Sequence, residues 1–519
     1  MGKLNRGVST ARTTVLGTVG PTTNADGLKA YSRDAKSELF LMAVGAFYGE
    51  NKFYETDSES SKRFAELVAV NAKADPEWTA AFLVWLRTKA NMRTASIVGA
   101  AEYVHAGAPN GRPLVRSVLV RADEPGELLA YWLSKYGRRI PQPIKRGVRD
   151  AVGTLYTERN AAKWDSAKAA VRFADVIELT HPSGSGARGD LYRYLIEERH
   201  GRATFEDKDL LGLRQREAAL RSEDPREALL TEMVEHGNPT VTWETVSSAA
   251  PGKMTARQWE LCYGGMGYMA RLRNLRNLDQ AGVDDDFKHR IGKYLADPAE
   301  VAKSRQLPMR FLSAYKAAPD LVWGSYLSKA LDHSLDSVPE VPGSWLVLVD
   351  ASGSMGAAYS DKSSMTYYEA ACVFAAAFAR RNSAEVRTFS NGLSGTFPQI
   401  RGESTLATVK RLMGRGFWQG GGTDTVGALV GAFNPTKHDH VLVLTDEVYN
   451  GYGWYRTSGT PGDAVPADIP MYTFNLAGYS AAQAESGPNR ITVGGLSDAA
   501  FSMMAAVEST RGGTWPWEA

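Results

Sequence analysis

The hydrophobic pattern of this chain changes at residues 336–343, where the segment DSVPEVPG separates two different kinds of sequence. Before it, apolar residues recur at intervals of three and four, which is typical of amphipathic helices. After it, short β-branched runs alternate with helical stretches, which predicts a doubly wound α/β sheet. The chain is therefore predicted to be multidomain, with a flexible arm at residues 1–27, a helical domain at 28–343 and an α/β domain at 344–519.

The helical part consists of successive amphipathic segments joined by short polar, Gly or Pro connections. Strand patterns of comparable strength do not interrupt it, and such an arrangement predicts a stacked array of α-helical repeats, although no strict repeat period is present. Helices are predicted at residues 35–48, 61–72, 76–89, 94–105, 113–120, 127–136, 165–179, 189–198, 226–235, 257–278 and 297–316.

Composition excludes several classes of protein. Cys262 and Cys372 are the only cysteines and each lies in an apolar stretch, so a disulfide framework or a cysteine zinc site is not expected. The first 20 residues lack the apolar run of a signal peptide, and the apolar run at 370–379 is too short to span a bilayer. We therefore expect a cytoplasmic protein with no membrane partner.

Polar side chains follow two of the predicted strands, at the point where each strand ends. Strands are predicted at 344–350, 385–389, 440–445 and 471–475, with a helix at 366–381. Because the carboxyl ends of parallel strands meet at one edge of a sheet, oxygen ligands there can hold a hard cation such as Mg²⁺. The predicted ligands, the third of them in the glycine-rich turn GGGTDT, are Asp350 with Ser352 and Ser354, Thr423, and Asp446.

The motifs DxSGS, GGxTDT and TDE, in this order, resemble the von Willebrand factor A domain and its metal-ion-dependent adhesion site. All five ligand positions match, and the resemblance implies an open coordination position that an acidic group from a partner can fill. Asp424 and Glu447 are expected beside the metal without coordinating it. His438 and His440 precede a strand, so we expect structural roles for them at its opposite end. Without a Walker motif or a nucleophile paired with a base, the sequence predicts no enzyme.

Two groups of basic residues in the helical part suggest a phosphate-binding surface. Lys145, Arg146 and Arg149 open a predicted helix, and Arg271, Arg273 and Arg276 lie in MARLRNLRNL, where the leucines supply the apolar face. All three arginines of the second group are therefore expected to point toward solvent or ligand. Ordinary solvated helix faces would also account for either group. The net charge is −3 from residue 344 onward, where 12 Lys and Arg stand against 15 Asp and Glu, and +5 before it.

The segments IKRGVRDAV, KWDSAKAAVRFADVIELTHP, GGMGYMARLRNLRN and LVDASGSM together resemble the TROVE module of the Ro autoantigen family, and the chain resembles a bacterial-type member of it. The resemblance covers nearly the whole chain from about residue 25. It implies a ring of HEAT-like helical repeats that a von Willebrand factor A domain helps to close. It also implies binding of small structured non-coding Y RNAs on the outer basic surface, and of single-stranded 3′ ends of misfolded RNAs in the central hole. Such a protein would act in RNA stability and quality control.

Carried over residue by residue, the resemblance gives RNA-binding roles to Arg146, Arg149 and His181, the last near the inner face of the ring. Lys163 fits a basic position upstream with one inserted residue, and the next basic position falls on Ala167 or Lys168. The partners expected are RNA and an exoribonuclease or other protein that supplies an acidic group to the metal, and the chain is expected to be a monomer. The alternative is a metal-dependent adaptor that works with an AAA-type ATPase or a chelatase.

Overall fold

A computed structural model describes residues 15–23, 29–45, 57–202, 211–306, 308–318, 320–358, 365–414, 416–446, 461–476, 489–494 and 499–518. The chain divides into two compact units. One is formed by residues 65–287, and the other by residues up to 64 together with 288–519.

The unit of residues 65–287 is helical in the part that the structure describes. Its helices are α2 Asp57–Ala74, which starts in the other unit, α3 Pro76–Thr88, α4 Arg93–His105, α5 Gly111–Val118, α6 Glu124–Tyr136, α7 Gln142–Leu155, α8 Glu158–Trp164, α9 Phe173–Thr180, α10 Ala187–Arg199, α11 Leu211–Leu220, α12 Pro225–Val234, α13 Trp243–Ser248, α14 Ala256–Tyr263, α15 Tyr268–Arg273 and α16 Leu275–Ala281. Most of the predicted helices are present with ends shifted by a few residues.

Individual residues, such as a helix N-cap and a glycine at a helix contact, explain where some of these helices begin and how closely they pack. Asp75 caps α3 by accepting a hydrogen bond from the Trp78 N–H at 3.1 Å, and Pro76 occupies the first turn. Helices α5 and α7 pack together through Gly147, where an added Cβ would lie 2.6 Å from the Cβ of Val115. Glycine at this position therefore permits the close approach of two helix backbones.

Three predicted helices differ from the structure for local reasons. Residues 165–172 form turns, because the Asp165 carboxylate accepts from the Phe173 N–H at 3.0 Å and fixes the start of α9 there. The predicted helix at 257–278 is divided into α14, α15 and α16 by Gly264–Gly267 and Asn274. Arg305, with φ 54° and ψ 25°, ends the first half of the predicted helix at 297–316.

The second unit contains a sheet of five parallel strands in the order β4–β3–β5–β6–β7. The strands are β3 Ser344–Asp350, β4 Ser383–Phe389, β5 His440–Thr445, β6 Met471–Asn475 and β7 Arg490–Gly494. The helices of this unit are α1 Ala35–Gly45, α17 Asp285–Leu295, α18 Pro298–Ser304, α19 Pro308–Ala317, α20 Leu321–Ser334, α21 Tyr367–Arg381, α22 Thr405–Leu412, α23 Thr425–Ala432 and α24 Ala499–Ser509. The predicted parallel sheet is confirmed, and β7 is a strand that the sequence pattern did not predict.

The first described residues are part of this second unit. Residues 18–23, within the predicted arm, form β1 Thr18–Thr23, which pairs antiparallel with β2 Lys29–Arg33. The Arg33 guanidinium donates to the Arg490 carbonyl at 2.8 Å, and the Val15 N–H donates to the Thr510 carbonyl at 3.2 Å. Residues 1–14 of the predicted arm lie outside the described residues. Helices α19 and α20 pack on α21 and α22, so the compact unit extends before the predicted domain boundary at residue 344.

No helix in the described part of the chain is both long and apolar enough to cross a membrane.

Candidate functional sites

The candidate metal site begins at Asp350, the last residue of β3. Its side chain is completely buried, with one carboxylate oxygen accepting from the Ser352 N–H at 2.8 Å and the other from the Thr445 hydroxyl at 2.6 Å. Thr445 ends β5, the neighbouring strand. Thr445 is not among the predicted ligands, although its position before Asp446 in the TDE motif puts it at the same strand end.

Backbone hydrogen bonds hold the two loops of the site together. The Gly353 N–H donates to the Gly421 carbonyl at 2.9 Å, and the Gly420 N–H donates to the Ala351 carbonyl at 2.8 Å. Gly421 has a φ of +85°, which favours glycine, and an added Cβ would lie 2.8 Å from the side-chain nitrogen, Nδ2, of Asn391. This loop leads directly to Thr423.

Four of the five predicted ligands, Asp350, Ser352, Thr423 and Asp446, are buried. Thr423 is 5% exposed and Asp446, which directly follows β5, is 2% exposed. The hydroxyl oxygens of Ser352 and Ser354 lie 3.2 Å apart, and Ser354 is exposed. In the sheet, β3 lies between β4 and β5. The chain runs from β3 to β4 on one side and then crosses to β5 on the other side, so the strand order reverses at β3. The site therefore lies at the carboxyl ends of the strands where the strand order reverses, the usual place for ligands in such sheets.

The electrostatics of this site fit a bound cation. Burial, helped by the negative charge of Asp446, raises the pKa of Asp350 to about 6, although the hydrogen bonds from Thr445 and Ser352 act to lower it. Two carboxylates at one buried site repel each other, and a divalent ion would remove that repulsion. In the described residues no cluster of three or more His, Cys, Asp or Glu could hold a metal. The predicted set contains only two acids, its other oxygens being hydroxyls, so coordination by these five residues stays a prediction.

The other polar residues that the sequence placed beside the motifs or at the ends of β5 are accounted for separately. Asp424 caps α23 by accepting from the Gly427 N–H at 2.8 Å, and Glu447 lies outside the described residues. The His440 ring stacks on Trp345 with centroids 4.3 Å apart, and its Nε2 lies 3.3 Å from a carboxylate oxygen of Glu508. Since His440 begins β5, it lies at the opposite end of the strand from the candidate metal site, as predicted.

His438 lies beside the same end of β5. It contacts Glu385 at 3.4 Å, and it is 3% exposed. Its contacts are therefore those of a structural residue, as expected from its place before the strand.

Arg149 and His181, two of the predicted RNA-binding residues, are brought together by one hydrogen bond. The Arg149 Nε donates to the carbonyl of Thr180 at 2.9 Å, and Thr180 is the last residue of α9. His181 follows it in a left-handed conformation, φ 49° and ψ 58°, and its side chain is exposed. Arg146 is exposed on the preceding turn of α7, on the same face as Arg149. These three residues form one surface, and Lys145 beside them is half-buried.

Lys163 and Lys168 are both exposed in the segment that precedes α9. Lys163 ends α8 together with Trp164, and its Nζ lies 5.2 Å from the centre of the Trp164 ring. The Arg121 guanidinium also lies against Trp164, at 4.5 Å from the ring centre. Two cations therefore lie near this half-buried indole, a feature that was not predicted from the sequence. Lys168 lies in a turn, with its N–H donating to the Ser166 hydroxyl at 3.2 Å.

The prediction that Arg271 points toward solvent or ligand is wrong. Arg271 is 9% exposed, its guanidinium lies 4.0 Å from the centre of the Tyr263 ring, and it donates to the Tyr263 carbonyl at 3.1 Å. These contacts join α15 to the end of α14, so Arg271 supports the fold. Arg273 and Arg276 are exposed, as predicted.

Comparisons with known proteins agree with these features. Residues 238–339 match the family model of the TROVE domain. Among solved structures, the chain is similar to the crystal structure of the Deinococcus radiodurans RO (RSR) protein, with 18% sequence identity and a TM-score of 0.70. The match covers 93% of this chain and 100% of that one. No curated protein matches. The predicted resemblance to the Ro family is confirmed by the domain match and the shared fold.

Proposed function

We propose that this protein binds RNA through the surface formed by Arg146, Arg149 and His181. The observation that carries the proposal is the hydrogen bond from Arg149 to Thr180, because it fixes a guanidinium next to an exposed imidazole. Arginines contact phosphates, and an imidazole can stack on or hydrogen-bond to an unpaired base. The TROVE domain match and the fold shared with the RO (RSR) protein support the proposal.

The RNAs we propose are small, structured, Y-type non-coding RNAs and the single-stranded ends of misfolded RNAs. Such binding would serve RNA stability and quality control without catalysis. Lys145, Arg273 and Arg276 would add phosphate contacts, while Lys163 and Lys168 lie in the segment that leads to α9 and would contact a single strand. We further propose a monomer in the cytoplasm, where the two buried thiols, Cys262 and Cys372, would stay reduced.

We also propose that the second unit holds Mg²⁺ as a von Willebrand factor A domain does. Asp350 and Asp446 would supply the negative charge, and Ser352, Ser354 and Thr423 neutral oxygens. When bound, the ion would have an open coordination position that an acidic side chain of a partner could fill. The burial of two carboxylates at the carboxyl edge of the sheet favours metal binding. The partners we propose for the metal site are an exoribonuclease, an AAA-type ATPase or a chelatase.

Nucleic acid content separates the two activities most directly. Protein purified from its own cells should carry discrete small RNAs, which sequencing would identify. Protein that is free of RNA but retains an ATPase would favour the adaptor function instead.

A pair of variants tests the proposed surface. His181→Ser should reduce binding of RNAs with free 3′ tails more than binding of folded RNAs without tails, because the imidazole would contact unpaired bases. Arg146→Ala should weaken both, since phosphate contacts carry little sequence information. The measurement is affinity by fluorescence anisotropy at one salt concentration. Equal losses for tailed and tailless RNA in the His181 variant would contradict the role given to this histidine.

A further inference from the structure

A second aromatic surface lies in the helical unit, where α4 and α6 end. The rings of His105 and Tyr136, the last residues of these helices, stack with centroids 3.7 Å apart and an angle of 14° between their planes. Tyr136 covers one face of the imidazole, yet His105 is exposed. Tyr136 leaves the opposite face of the imidazole open, and Trp132 approaches His105 only edge-on, with ring centres 5.9 Å apart. Trp132 lies behind the pair, with its ring centre 4.9 Å from that of Tyr136.

Hydrogen bonds to a buried carboxylate hold this stack in place. Glu102 is 3% exposed, and the Tyr136 hydroxyl lies 2.8 and 2.7 Å from its two carboxylate oxygens. The Tyr131 hydroxyl at 2.6 Å and the Lys135 ammonium at 3.0 Å also bind Glu102. Rotation of Tyr136 would leave part of a buried charge without a partner, which is costly. The surface that His105 presents is thus fixed before any ligand arrives.

Positive charge lies beside the stack without compensation. Arg138 and Arg139 are exposed in the loop after α6, and the Trp132 indole N–H donates to the Arg139 carbonyl at 3.1 Å, which ties that loop to the aromatic residues. In the part of the chain that the structure describes, no carboxylate lies within ion-pair distance of either guanidinium. By contrast, Lys135 is neutralised by Glu102.

We propose that the His105–Tyr136 stack, with Arg138 and Arg139, binds one unpaired nucleotide of single-stranded RNA. The base would lie on the open face of His105, and the guanidinium groups would contact the adjacent phosphate. Flat side chains next to cations are the combination that binds single strands, because every base offers a π face and every nucleotide a charge. The inference rests on the proposed RNA-binding function and adds a site separate from Arg146, Arg149 and His181.

Substitutions at His105 distinguish base stacking from a simple cover over Tyr136. His105→Ala should weaken binding of a fluorescently labelled ten-nucleotide oligoadenylate by about 5- to 10-fold, the loss expected for one stacked base. His105→Phe should bind within about twofold of the unchanged protein, since a phenyl ring also stacks. The same variants should leave binding of a blunt RNA duplex unchanged, as its bases are not available.

The full chain is used throughout, and thermal unfolding checks that each variant is folded. His236→Ala is the matched control, because His236 is an exposed histidine of the same unit that contacts Glu232 at 2.9 Å, and its affinities should not change. Crosslinking of 4-thiouridine-containing single strands should label the peptides that contain His105 or Tyr136. Unchanged oligoadenylate affinity in His105→Ala, or an equal loss in His105→Phe, would overturn the inference and leave the proposed function standing. Failure of the unsubstituted protein to bind any RNA would overturn both.

Discussion

Asp350→Asn should have opposite effects on stability in the absence and in the presence of Mg²⁺. Without metal, burial and the charge of Asp446 raise the pKa of Asp350 from 3.8 to about 6. Each unit of pKa corresponds to about 1.4 kcal/mol, so ionised Asp350 costs the folded state up to about 3 kcal/mol at neutral pH. Asparagine removes that charge and keeps an oxygen for the Ser352 N–H. In EDTA at pH 7.5 the variant should therefore be more stable, with a Tm higher by roughly 5 °C.

Magnesium should reverse this order. At a concentration about 1,000 times its Kd, an ion that binds only the folded state adds about 4.1 kcal/mol, which exceeds the roughly 3 kcal/mol that the variant gains without metal, and the variant lacks the charge needed to bind the ion. Calorimetry with and without Mg²⁺ measures both effects. Asp424→Asn is the matched control, since asparagine also caps helices, and this variant should keep the full response to Mg²⁺. Equal Mg²⁺ stabilisation of Asp350→Asn and of the unchanged protein would refute the assignment of Asp350 as a ligand.

The pH dependence of the metal-free protein gives an independent check of the same charge. The pKa of Asp350 is raised in the folded state. Between about pH 4 and pH 6, therefore, the carboxyl is still protonated in the folded protein but already ionised in the unfolded chain. This carboxyl should therefore make stability decrease as pH rises through that window. Asp350→Asn should lack this decrease in urea unfolding experiments, and an identical profile would contradict the origin given for it.

Two further predictions concern structural residues. Arg271→Ala should reduce the free energy of unfolding by about 2 kcal/mol through loss of its contacts with Tyr263, without changing RNA affinity; a variant with normal stability and weakened RNA binding would restore Arg271 to the RNA surface. Burial tends to raise the pKa of Glu508, but His440 and Arg511 together hold it at about 2, so its contribution to stability is present above about pH 4.5 and is lost as pH falls toward 2. Glu508→Gln should flatten this acid limb in urea unfolding measured from pH 5 to pH 2, and an unchanged limb would contradict the assignment.

The parallel strands could be predicted where burial dominates the sequence. Strands β3, β5 and β6 have the predicted bounds, because each is a short apolar run buried on both faces. Strand β7 escaped prediction, since it begins with Arg490, whose guanidinium is buried and donates to the Ile469 carbonyl at 2.7 Å. Most of the carbonyls that accept hydrogen bonds from this guanidinium belong to residues more than 20 positions away in the sequence. No local pattern therefore reveals that Arg490 is buried.

The candidate sites differ in how far sequence alone could locate them. The motifs around Asp350 and Asp446 lie at strand ends, and strand ends converge in a parallel sheet, so their proximity could be predicted. Helix periodicity gave the wrong direction for Arg271, because Tyr263 of the preceding helix covers it. The stack of His105 on Tyr136 joins two helices, and nothing in either helix alone predicts it.

The salt dependence of RNA affinity tests the central claim most directly. Binding of a structured small RNA should weaken linearly in log–log form as salt rises, and Arg146→Ala should reduce the slope by about one unit because one phosphate contact is lost. Arg257→Ala is the control, since Arg257 is exposed in the same unit but paired with Glu227 at 3.2 Å, and its slope should match that of the unchanged protein. Equal slopes for all three proteins, or affinity that does not respond to salt, would contradict RNA binding through this basic surface.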